Sequence, residues 1–80
     1  MDEFIGTIKL FAFGFIPRDW AVCNGATLNP REYQALYSLI GNTYGGDGIN
    51  AFAVPDLQGK EPVKGMRYCI CLNGIYPPRD

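Results

Sequence analysis

The chain reads as a small α+β domain, mostly β, with one short helix packed on strands. Three features point there. A β-branched and aromatic alternating segment opens the chain, one well-capped helical stripe lies near the middle, and a second apolar strand precedes Pro77-Pro78. The N- and C-terminal strands are expected side by side in the core sheet. At 80 residues the whole chain, 1–80, makes a single domain. A chain of this mass buries only about 63% of its extended surface, so the isolated monomer is expected to be marginal and to lean on a partner or a crosslink.

The first strand runs from Glu3 to Phe15. Ile5, Thr7, Lys9 and Phe11 alternate with Phe4, Gly6, Ile8 and Leu10, so Phe4, Ile8 and Leu10 form an apolar face interrupted only by Gly6. Gly14 and Pro17 end it, and Pro17-Arg18-Asp19 begins a turn. Trp20-Ala21-Val22-Cys23 is a short apolar run that stops at Asn24-Gly25, a strong hairpin signal. The helix spans about Pro30 to Ile40. Asn29 is its N-cap, Pro30 takes the first helical position, and Glu32 sits three residues after the cap. Tyr33, Leu36, Tyr37 and Ile40 share one face, and Gly41 is the stop. Asn42 to Asn50, containing Gly45-Gly46-Asp47-Gly48, is a loop. Phe52 to Leu57 is extended, because Pro55 forces Val54 out of helical geometry. Met66 to Tyr76 is the closing strand, with Tyr68, Ile70 and Leu72 on one face and Arg67, Cys69 and Cys71 on the other.

Composition removes several functions. A net charge of −1 with scattered basic residues gives no electrostatic footprint for nucleic acid. No apolar run is long enough for membrane insertion. The acidic Met1-Asp2-Glu3 start lacks the positive charge of a secretory signal. Histidine is absent, so Ser-His, Cys-His and His-metal chemistry cannot be written. No catalytic residue, metal ligand or cofactor is expected, and the chain is read as a non-enzyme.

Several strings taken together resemble the phage tail collar domain family, including the bacterial microcystin-dependent proteins. They are Ile5 to Phe11, Pro17 to Gly25, Leu36 to Gly48, and the Phe52-Ala53-Val54-Pro55-Asp56-Leu57-Gln58-Gly59-Lys60 block, followed by a closing Tyr68 to Pro77. Family members usually carry a long Gly-rich region before the closing strand; here Glu61 to Gly65 takes its place. The resemblance implies a structural, self-assembling module of a tail fibre, tail-like particle or extracellular filament. It would be a trimer or filament in contact with other tail or fibre proteins. Assembly in the cytoplasm and release by lysis would follow, with no signal peptide needed. The alternative it carries is a carbohydrate- or receptor-binding module of a fibre tip.

Candidate residues follow from exposure and chemistry. An unprotected terminal strand invites a neighbour's strand, which nominates Phe4, Ile5, Ile8, Leu10, Phe11 and Phe13 as the subunit interface. Tyr44, in a Gly-rich loop, is the candidate for stacking on a surface glycan, with Asp47 beside it. Aspartate between glycines also suits a turn, where it bonds its own backbone. Cys23 could bridge to Cys69 or Cys71, or the leftover cysteine could bridge two chains. Cys69 and Cys71 sit too far apart on one strand to bond each other, and small buried thiols are the plain expectation.

Overall fold

The computed structural model describes residues 3–78. In chain order it contains β1 (Ile8–Phe11), β2 (Trp20–Val22), β3 (Thr27–Leu28), α1 (Gln34–Ile40), β4 (Phe52–Ala53) and β5 (Arg67–Cys71). β1, β5 and β2 form an antiparallel sheet in that order, and β3 pairs with β4. The α+β class holds, and the first and last strands do share a sheet: Ile8 faces Ile70 and Phe11 faces Arg67.

β5 takes the centre because its sequence is apolar on both sides. Ile70, together with Leu72, joins Ile5, Cys23, Leu36, Phe52 and Val54 in the larger core cluster, on the helix side. Cys69 and Cys71 point the other way, against Trp20 and the half-buried Phe11, Ile16 and Val22. A strand covered on both faces needs this continuous burial rather than polar alternation.

The first strand is shorter than the expected Glu3–Phe15 span. Gly6 has φ +89°, and the Thr7 N–H donates to Phe4 O at 3.1 Å, so residues 4–7 turn instead of extending. Gly6 and Thr7 then oppose Cys71 together, through Gly6 N–H to Cys71 O and Cys71 N–H to Thr7 O, both 2.9 Å. That two-against-one pairing is a bulge, and it shifts the alternation by one residue. Ile5 goes into the core while Phe4 and Ile8 remain exposed. The apolar face expected from simple alternation is broken at this point.

Three other expectations are corrected. Asn24-Gly25 does not close a hairpin between neighbouring strands. It is a corner: β2 lies in one sheet and β3 in the other. The helix begins at Gln34, not Pro30. Asn29 does cap a first turn, its Oδ1 accepting the Arg31 N–H at 2.8 Å, but Tyr33 at φ −121°, ψ 51° interrupts it. Glu32 makes no return bond to Asn29 among the described residues. The closing strand stops at Cys71, and Ile75 reaches only an isolated parallel bridge with Phe4. Helix termination follows the sequence, with the Gly41 N–H donating to Tyr37 O at 2.7 Å.

Candidate assembly surface and family motifs

Two of the motif strings meet in space. Residues 23–28 run antiparallel to 52–57, through Leu57 N–H to Cys23 O at 2.9 Å, Gly25 N–H to Pro55 O at 3.3 Å and Val54 N–H to Ala26 O at 3.0 Å. Between these bonds lies the Asn24–Asp56 bridge, and beyond them the β3–β4 pairs. Each side chain with a local bonding role serves this ribbon's ends: Asn24 Oδ1 accepts from Ala26 N–H at 3.0 Å, and Asp56 Oδ1 from Gln58 N–H at 3.2 Å. The Cys-Asn-Gly and Pro-Asp-Leu strings are thus a structural clasp, and Asp56 sits in a turn.

The loop from Asn42 to Ala51 is held just as firmly. Asp47 Oδ1 accepts the N–H groups of Ile49, Asn50 and Ala51 at 2.8, 2.7 and 3.1 Å. Those bonds, the Ile49 one foremost, hold the Asp47 carboxyl below the usual aspartate range. The Tyr37 hydroxyl donates to Gly48 O at 2.9 Å, and its ring packs 5.2 Å from Phe52. Asp47 therefore builds the loop, and its Oδ1 is fully engaged by backbone. Tyr44, 53% exposed, is presented from that rigid loop. Ile49, also on it, is 75% exposed.

All three cysteines are buried free thiols, Cys23 in one cluster and Cys69 and Cys71 in the other. Burial pushes Cys23 up to about 11, with Cys69 adding to the shift, and burial likewise raises Cys69 and Cys71. Reactive thiolates need the opposite environment. Among the described residues no three His, Cys, Asp or Glu side chains gather as a metal set, and no helix is long and apolar enough to cross a membrane.

The nominated interface residues divide. Ile5 lies in the core of the single chain. Leu10 and Phe11 are half-buried, while Phe4, Ile8 and Phe13 are exposed. β1 is an edge of its sheet, so one side of its backbone has no strand beside it among the described residues. Its one charge, Lys9, is ion-paired with Glu3. An aromatic row that includes the nominated Phe11 and Phe13 continues past β1 to Phe15, which the sequence did not nominate. Phe11 and Phe13 pack at a tilt with centroids 5.2 Å apart, Phe13 and Phe15 stack at 4.6 Å, and Phe11 meets the buried Trp20 edge-on at 5.1 Å. The row climbs from the core to Phe15, which is 67% exposed.

Among curated proteins no relative matches the chain. A family model does: Phage Tail Collar Domain, over residues 6–62. That span contains β1 to β4, α1 and the whole Cys23–Leu57 clasp, and ends before β5. It covers well over half of the molecule. The chain belongs to the phage tail collar domain family.

Proposed function

We propose that the protein is a self-assembling structural module of a tail fibre, tail-like particle or extracellular filament, joined to copies of itself through β1 and the aromatic row beyond it. The observation that carries this reading is the exposed series of Ile8, on an edge strand whose only cation is neutralised by Glu3, and of Phe13 and Phe15 just beyond that strand. Unprotected apolar edges pair with other strands, and exposed aromatic side chains anchor interfaces. Closure into a ring gives a trimer; a head-to-tail contact that does not close gives a filament. Other tail or fibre proteins would meet the assembled object.

Light scattering after size exclusion, with negative-stain microscopy, tests this. Trimers or filaments that fall apart in a Phe13→Ser/Phe15→Ser variant are the expected result. A stable monomer at micromolar concentration would defeat the proposal. A second reading, glycan recognition at a fibre tip, rests on Tyr44, whose ring is exposed on a rigid loop. Cell-wall glycans should then shift the Tyr44 resonances in NMR and leave a Tyr44→Ala variant unbound; no shift at saturating glycan removes it.

A further inference from the structure

The chain holds three steps in which asparagine or aspartate precedes glycine: Asn24-Gly25, Asp47-Gly48 and Asn73-Gly74. Such a step can close on itself, because glycine has no Cβ to shield its amide nitrogen from the carbonyl carbon of the preceding side chain. Two of the three are locked. Gly25 N–H donates to Pro55 O at 3.3 Å, while Asn24 Oδ1 is held by the Ala26 N–H. Gly48 N–H donates to Ala51 O at 3.0 Å, and Asp47 is pinned by three backbone donors. The third is different. Asn73 and Gly74 are exposed, and the Gly74 N–H has no backbone acceptor among the described residues. The Asn73 carboxamide is held only at the surface, Nδ2 donating to Asp19 Oδ1 at 3.2 Å.

We infer that Asn73 is a site of spontaneous deamidation that weakens the contacts tying residues 72–75 to Glu3 and Asp19. The Gly74 nitrogen loses its proton to solvent and bonds to Asn73 Cγ. The Cγ–Nδ2 bond breaks, and Nδ2 leaves as ammonia with a proton from water. A water molecule then opens the succinimide at either carbonyl, leaving aspartate or isoaspartate. Either product replaces a donor with a carboxylate facing that of Asp19, so an attraction becomes a like-charge contact. Isoaspartate also adds a carbon to the backbone. It does so between Leu72, whose N–H donates to Asp19 O at 2.7 Å, and Ile75, whose N–H donates to Glu3 O at 2.9 Å. Cys71 lies directly beneath, its thiol donating to Asn73 O at 3.3 Å.

The test is timed incubation of the whole protein in mildly alkaline buffer at physiological temperature, with peptide mapping by mass spectrometry. The one-dalton gain should appear at Asn73 at least several-fold faster than at Asn24 in the folded protein, and at similar rates for both in denaturant. Cys71 should become faster to alkylate as position 73 converts, and an Asn73→Ser variant should show no such drift. Equal or faster conversion at Asn24 in the folded protein overturns the inference. So does an unmodified Asn73 under conditions where denatured chain deamidates. If Asn73 converts while thiol labelling stays flat, the weakening of those contacts is refuted.

Discussion

Asp47 shows how a residue that looks like a ligand is committed elsewhere. Its carboxylate is stabilised by three backbone N–H groups, so its folded pKa lies below the unfolded one. A group of that kind adds stability above the unfolded pKa, and the addition is lost as pH falls through the folded value. Asp47→Ala should therefore melt lower than the native protein at neutral pH, and the gap should close on acidification below the carboxylate range. A gap independent of pH would contradict this. Two glycines separate conformational from steric demand. A Cβ on Gly46, at φ +90°, would lie 2.4 Å from Ala51 O and 2.7 Å from Phe52 Cα. One on Gly6, at φ +89°, would meet nothing nearer than 3.9 Å. Gly6→Ala should thus cost about 1 kcal/mol of backbone strain, and Gly46→Ala about 3 kcal/mol, read from denaturant midpoints. Equal costs would show that the loop yields freely. The turn role of Asp47 was legible in sequence because a short acceptor between glycines bonds its own backbone. The core role of Ile5 was not, since one positive φ at Gly6 moved the register.

At the level of elements, legibility followed the length of each signal. β5 and the Tyr33–Ile40 stripe carry enough apolar residues to be read directly, and Leu36 is fully buried as its place in the stripe requires. β3 and β4 have two residues each, too few for any period, and exist only because residues 23–28 find 52–57. The Asn24-Gly25 signal was real as a turn and misleading as a hairpin, since turn chemistry does not say which strands it joins. α1 is short, with seven residues, and a helix of that length persists through tertiary contacts. Its part-buried polar tie to the following loop is the Tyr37 hydroxyl on Gly48 O. Tyr37→Phe keeps the ring against Phe52 and removes only that bond, so it should cost about 1 kcal/mol. Hydrogen exchange should quicken in the Asn42–Ala51 loop before it does in β5. Uniform acceleration across both would mean that helix and loop do not open separately from the sheet.

The molecule as a whole exposes 5302 Å², against roughly 4,800 Å² for a compact protein of its mass. Part of the excess is the series Phe4, Ile8, Phe13, Phe15, Ile49, Ile75 and Tyr76, all large apolar side chains in solvent. Burial at about 25 cal/mol/Å² favours covering such surface, and association is how a small chain does it. Mass action then ties stability to concentration, because a partner that binds only the folded chain raises the melting temperature as it is added. The native protein should accordingly melt higher as its concentration rises. Phe13→Ser/Phe15→Ser should flatten that dependence and leave the melting temperature at high dilution almost unchanged, since both rings are exposed within one chain. Loss of stability at all concentrations would instead make the aromatic row part of the monomer's own core, an extension of Trp20 outward. A native melting temperature independent of concentration, across a range where scattering reports one mass, would place the stabilising contacts entirely within the chain.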